Sequence, residues 1–263
     1  MLEIFGFIAA VLIGISLGLI GSGGSILTVP VLVYLFEVEP VTATAYSLFI
    51  VGLSALVGSF RYMKEHLLDY KTALVFSVPA FVAVFLSRMF IIPILPDVVI
   101  SLNGYSVSKG IFLLILFAVL MIMASISMIK DKKPEVDFSE LKFNYPLIFI
   151  EGFIVGILTG LVGAGGGFLI IPALVLLAKL PMKIAVGTSL LIIAVKSLIG
   201  FTGDIGSGQA IDWLFLFEVS ALAIAGIFIG FYLSKKISGT KLKPFFGWFV
   251  LAMGIYIIIK ETF

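Results

Sequence analysis

Residues 18–30 read GLIGSGGSILTVP, and residues 160–172 read GLVGAGGGFLIIP. Laid over each other without a gap, the two stretches share Gly18/Gly160, Leu19/Leu161, Gly21/Gly163, Gly23/Gly165, Gly24/Gly166, Leu27/Leu169 and Pro30/Pro172, at an offset of 142. The same offset keeps its register upstream, at Phe7/Phe149 and Gly14/Gly156. It also holds downstream, at Ala43/Ala185, Ser47/Ser189, Leu48/Leu190, Ile50/Ile192 and Gly58/Gly200. The chain is one unit written twice, and each copy is built around a glycine break in an otherwise apolar segment.

The rest of the composition says where such a unit lives. Of 263 residues, 61% are hydrophobic and 12% charged. There is too little polar surface to face water, so the chain reads as a polytopic membrane protein. The absence of cysteine excludes disulfides, thiolate catalysis and cysteine metal sites, and a single histidine, His66, excludes a multi-histidine site. No cofactor is implied. The lysines fall in short loops without the basic tail or aromatic-interleaved patch that nucleic acid needs. The amino terminus, MLEIFGF, has no basic residue ahead of its apolar run, so a cleavable signal peptide is not expected.

Apolar runs bounded by charges or by Pro and Gly give five segments per half: about 4–20, 26–36, 41–60, 71–92 and 108–129, then about 146–163, 167–178, 184–201, 213–234 and 244–259. The second segment of each half is too short to cross, since a span takes roughly 20 helical residues. It either completes the first segment as one broken helix or folds back from a glycine tip. Loop charge decides, because Lys and Arg gather on the cytoplasmic side of short loops. With a folded-back hairpin, each half makes three further crossings and the halves are inverted. One side then holds Arg61, Lys64, Lys71, Lys130, Lys132, Lys133, Lys142, Lys179, Lys183, Lys235, Lys236, Lys241 and Lys243, and the other only Lys109 and Lys260. A single crossing would divide the same loops almost evenly.

The expectation is therefore an all-α multi-pass membrane protein of two inverted repeats, each a glycine-tipped helical hairpin plus three transmembrane helices. Residues 1–130 form the first repeat, 131–145 a cytoplasmic linker and 146–263 the second repeat, with the amino terminus outside the cell membrane. An insertion near Pro96 to Ser108, absent from the second half and placed outside the membrane, is a candidate cap, with a plain loop as the preferred reading.

Unwound chain at membrane depth is tolerated only where it is buried in protein or lines a cavity. The runs Gly21 to Gly24 and Gly163 to Gly167 are thus expected to be buried. A helix starting just after each run points free NH groups and the positive end of its dipole at the tip, which suits an anion. Two tips entering from opposite faces would meet near the midplane, as in inverted-repeat transporters. The competing reading is that these glycines only allow close helix packing.

The third segments add hydroxyls. Ser189, Ile193, Lys196 and Gly200 share a helix face, matched by Ser47, Val51, Ser54 and Gly58, with Thr188 beside Ser189 and Tyr46 beside Ser47. The hydroxyls either complete an oxyanion's hydrogen bonds or bond backbone carbonyls of their own helix. Lys196, an ionisable group inside a membrane segment, is a functional candidate by default. Its alternatives are a coupling proton site, snorkelling outward, or a structural pair with Glu218. Arg88 is read as snorkelling, His66 as solvated in a cytoplasmic loop, and Glu151 as close enough to the inner surface to reach water.

The stretches GLIGSGGSILTVPVL and GLVGAGGGFLIIPAL, followed by VEPVTATAYSLFI and LPMKIAVGTSLLIIAVKSLIG, resemble the sulfite exporter TauE/SafE family of membrane proteins over nearly the whole chain. The resemblance implies a transporter of small sulfur-containing anions such as sulfite or organosulfonates.

With the reading of the tips, the expected anion-binding residues are Gly23, Gly24, Ser25, Ser47, Gly165, Gly166, Gly167, Thr188, Ser189 and Lys196. The expected mechanism is alternating access, one repeat rocking against the other. Proton or sodium coupling and homo-oligomer formation are left open. An anion channel is the nearest alternative. A membrane-embedded enzyme would need a nucleophile with a base, paired carboxylates or a metal cluster, and the sequence offers none at suitable spacing. A scaffold would not need buried unwound chain. On this reading Gly165→Leu abolishes transport and leaves the protein folded.

Overall fold

The computed structural model describes residues 2–102, 105–130, 145–176, 178, 180–234 and 239–262. Nearly all of the expected linker, 131–145, lies outside the described residues. The first half runs α1 (Leu2–Ile20), a 3-10 turn (Ser22–Leu27), α2 (Thr28–Tyr34), α3 (Pro40–Lys64), α4 (Tyr70–Leu86), a π turn (Ser87–Ile91), α5 (Ile92–Ile94), strands β1 (Val98–Leu102) and β2 (Tyr105–Ser108), and α6 (Lys109–Lys130). The second runs α7 (Tyr145–Val162), α8 (Gly167–Leu176), α9 (Met182–Gly206), α10 (Trp213–Ser234) and α11 (Gly239–Thr262). Five helices among the described residues are long and apolar enough to span a bilayer, by length and composition. Large side chains such as Phe5, Leu12, Leu74, Phe149, Leu214, Phe228 and Tyr232 are exposed, while among the described residues eighteen Ser, Thr, Asp, Lys and Arg side chains are buried. An apolar exterior around a partly polar interior suits a lipid solvent.

Each glycine stretch turns the chain back on itself. A Cβ built on Gly24 would stand 2.6 Å from the backbone nitrogen of Leu17, and one on Gly166 would collide with the side chain of Thr159. Residues seven apart in one straight helix are separated by about 10 Å along the axis, so neither pair belongs to a continuous helix. The two contacts are the same contact in the repeat, since Leu17/Thr159 and Gly24/Gly166 are offset mates. Gly21 at φ 74° and Gly163 at φ 70° make the first bend of each hairpin, in a region that glycine enters freely.

Beyond the hairpins, helices of one half pack on helices of the other. α1 lies along α10: a Cβ on Gly14 would stand 2.9 Å from Gly226 Cα, and one on Gly18 the same distance from Gly230 Cα. The contact advances along both helices together, so they run parallel. α7 lies along α4 in the same sense, with Gly152 against Phe76, Gly156 against Ala80 and Gly160 against Ser87. Exchanging the halves turns one pair into the other. α6 packs on α11, and α3 on α9.

The central pair, α3 and α9, runs antiparallel. Gln209, just past α9, donates to Thr42 Oγ1 at the start of α3 (3.0 Å), and Asp69, just past α3, donates its NH to Thr188 Oγ1 near the start of α9 (3.0 Å). Between them Gly52 meets Leu198. Capping fixes these ends: the Glu39 carboxylate accepts from Thr42 N with Pro40 at the first helical position, and Asp69 accepts from Thr72 N. The insertion expected as a loop is instead an antiparallel hairpin pairing Ile100 with Val107 and Leu102 with Tyr105. Residues 105–108 alternate apolar with polar and residues 98–102 are rich in β-branched Val and Ile, both of which suit strands.

Candidate functional site

The two glycine tips meet. A Cβ on Gly165 would stand 3.2 Å from Ser25 Cβ, 2.5 Å from Val51 Cγ1 and 3.3 Å from Ile193 Cγ2. Val51 and Ile193 are offset mates on α3 and α9, so the antiparallel pair presents equivalent positions to the place where the hairpins touch. Ser25 is fully buried, as are Gly165, Gly166 and Gly167.

The tips differ in conformation. In the first, Gly23, Gly24 and Ser25 lie inside the 3-10 turn, whose last carbonyls are engaged; Thr28 N, for instance, donates to Ser25 O. The turn runs directly into the seven-residue α2, so on this side the NH groups at the start of the helical stretch belong to the 3-10 turn itself. In the second, residues 163–166 are outside any helix and Gly166 sits at φ 73°. Its carbonyl accepts from Leu169 N (2.9 Å) and Ile170 N (3.0 Å), starting α8 directly at the tip. The NH groups at the first positions of α8 have no carbonyl within the helix to bond. Where the second copy has Gly167 the first has Ser25, and only the second copy carries a second positive-φ glycine in its tip.

Lys196 stands at this second tip. Its side chain is fully buried, Nζ donates to Thr159 Oγ1 at 2.6 Å, and a Cβ on Gly166 would be 2.9 Å from the same nitrogen. Neither snorkelling nor pairing with Glu218 occurs: Glu218 is exposed, on the outer face of α10. Helical depth alone placed both residues at a similar level, but facing decides contact, and they face different ways. Among the described residues Lys196 has no carboxylate partner.

The hydroxyls divide. Ser47 is fully buried and its Oγ has no partner among the described residues; the same holds for Ser54, the offset mate of Lys196, and for Ser197 and Thr28. Ser189 donates to Val186 O (2.8 Å), which is the backbone-satisfying alternative. Thr188 accepts from Asp69 N and so ties the start of α9 to the segment that follows α3. His66 is exposed, and Glu151 is half-buried with Oε2 enclosed and unpartnered.

Sequence reasoning missed one cluster. Arg88 does not snorkel: it is fully buried in the π turn, and its Nη1 donates to Thr44 Oγ1 at 2.9 Å and to Asp204 Oδ1 at 3.3 Å. Segment ends set at residues 92 and 201 made Arg88 look terminal and left Asp204 out altogether. α9 in fact continues to Gly206. Two opposite charges near the ends of apolar segments were the available signal. No group of three or more His, Asp or Glu able to hold a metal ion occurs among the described residues.

Comparison with known proteins gives the same architecture a family. The chain is 27% identical to "Probable membrane transporter protein YunE" of Bacillus subtilis (strain 168), over 98% of this chain and 99% of that one. It is 30% identical to a "Probable membrane transporter protein" of Xylella fastidiosa (strain 9a5c), over 95% and 92% of the two chains. A third relative, "Probable membrane transporter protein MJ0441" of Methanocaldococcus jannaschii, is 35% identical over 44% of this chain and 47% of its own. No solved structure matches. The model of the family described as Sulfite exporter TauE/SafE matches residues 6–257, and the chain belongs to that family.

Proposed function

We propose that the protein is a secondary transporter of small sulfur-containing anions, sulfite or organosulfonates, held where the two glycine tips meet. The observation that carries this reading is Lys196, a fully buried cation at the unwound second tip with no carboxylate partner among the described residues. A charge in a membrane protein's interior is costly unless compensated. A bound anion supplies the missing counter-charge. Thr159 fixes the ammonium beside Gly166, the first NH groups of α8 and its dipole add donors and field, and Gly165 and Gly166 keep side chains out of the way. The first half contributes the unpartnered Ser47 hydroxyl and packs Ser25 against the second tip. The half-sites are therefore unequal, with the charge on one side.

Alternating access around this point follows from two inverted halves. The antiparallel α3 and α9 support that relation, because equivalent helices across an in-plane twofold axis run opposite ways. The rocking bodies differ from whole repeats. Since α1 packs on α10 and α7 on α4, each hairpin is carried by a helix of the other half, and the moving units are those mixed pairs. Thermal melting of the purified protein against sulfite, thiosulfate, sulfoacetate, sulfate, phosphate, acetate and chloride tests the reading. An anion at about 100 times its dissociation constant stabilises by roughly 2.7 kcal/mol. Stabilisation selective for sulfur oxyanions and lost in Lys196→Gln is the expected result; no shift with any anion sinks the reading.

A further inference from the structure

The buried Arg88 is only half used. Its Nη1 serves both Thr44 and Asp204, while Nε and Nη2 are buried with no partner among the described residues. These two nitrogens form the side-on edge of the guanidinium, the fork that takes two oxygens of one oxyanion in parallel hydrogen bonds. An arginine whose fork edge is left unpaired in a dry interior is expensive as a structural lock, because a lock would use that edge for the carboxylate.

The cluster adjoins the tip. A Cβ on Gly163 would stand 2.5 Å from Thr44 Cα, and Thr44 is the residue that accepts from Arg88. Gly163 opens the unwound stretch whose far end, Gly166, touches Lys196. The four residues Gly163 to Gly166, whose ends are about 11 Å apart at most, thus connect the Arg88–Thr44 contact with Lys196. On the other side Gly203 brings α9 against the π turn, with a virtual Cβ 2.9 Å from Arg88 Cβ. π turns inside α-helices are frequent at functional sites.

Resting on the transport reading above, we propose that the Nε/Nη2 edge of Arg88 is a second oxyanion subsite on the substrate's route past the second tip, taking a carboxylate, sulfite or sulfonate group bidentately. Asp204 shares the guanidinium, and its Oδ2 is also unpartnered. The carboxylate offsets part of the guanidinium's charge without occupying the fork edge and so keeps the subsite weak, which suits an ion that has to leave again.

The chain contains two arginines, Arg61 and Arg88, so the idea can be read directly. Arg61 forms an exposed pair with Glu65 and is remote from the cluster. In protein carrying Arg61→Lys and isotope-labelled arginine, a single Nε–H resonance remains, that of Arg88. Titration with sulfite or sulfoacetate should move it, and Arg88→Lys, which keeps the charge and loses the fork, should weaken the anion's stabilising effect at least tenfold in apparent affinity. If either anion stabilises the protein while the Arg88 resonance stays put, the subsite is refuted and the transport reading stands. If neither anion stabilises it, both fail. Should Arg88→Lys not fold, the resonance alone decides.

Discussion

At the scale of single residues, the tip is set by what cannot fit. Gly165 faces Val51 so closely that a methyl would stand 2.5 Å from Cγ1. Gly165→Leu would displace the tip as a whole, so the smaller Gly165→Ala is the informative change. It should cost about 1–3 kcal/mol in thermal or denaturant melting, the range for overpacking. Val51→Ala in the same chain should return most of that loss, and an unaltered loss in the double variant would mean that Val51 is not what limits the space. The glycines and Lys196 were legible in the sequence because each breaks a pattern: repeated GxGG in an apolar run, one ammonium in a membrane helix. Which way a side chain faces was not. Lys196 and Glu218 share a depth yet never meet, and Arg88 and Asp204 meet although one looked terminal and the other lay beyond the assumed end of its segment.

Among elements, the fold depends on two glycine seams. α1 and α10 approach at backbone distance through Gly14, Gly18, Gly226 and Gly230, and α4 and α7 do so through Gly152, Gly156 and Gly160. In lipid there is little hydrophobic drive between helices, so such close approach carries much of their association. Gly226→Ala and Gly156→Ala should each lower the melting temperature, since their added methyls run into Val11 O and Ala80 O. Gly206→Ala, whose methyl meets nothing nearer than Met89 Cε at 3.9 Å, should be neutral or stabilise by up to about 1 kcal/mol, the helix preference of Ala over Gly. Equal effects at all three would show that backbone entropy, rather than contact, governs these glycines. The glycines of the seams and of the tip are different residues: Gly14, Gly18, Gly156 and Gly160 lie in the seams, while Gly163 to Gly167 form the second tip, whose anion-binding role is the proposal made above. The pairing of one half's helices with the other's was not legible, because repeat alignment shows equivalence and says nothing of contact.

For the whole molecule, loop charge proposes a side for every end. The ends bearing Arg61, Lys64 and Lys71 lie opposite the end bearing Lys109 and the β1–β2 hairpin, and on the positive-inside rule we propose that the first faces the cytoplasm. The chain has no cysteine, so single introduced ones report without background. In intact cells a membrane-impermeant maleimide should label Ser101→Cys, and should label Glu65→Cys only after permeabilisation; both positions are exposed. The reverse pattern would invert the orientation and leave the fold as described. The central claim, that an anion is carried through the meeting of the two tips by way of Lys196, is tested most directly by counterflow in proteoliposomes. Vesicles preloaded with unlabelled sulfite should transiently accumulate radiolabelled sulfite above its external concentration, with saturable kinetics, and Lys196→Gln vesicles should not. Flux that never saturates and shows no counterflow would mark a pore, and accumulation unchanged in Lys196→Gln would contradict the account.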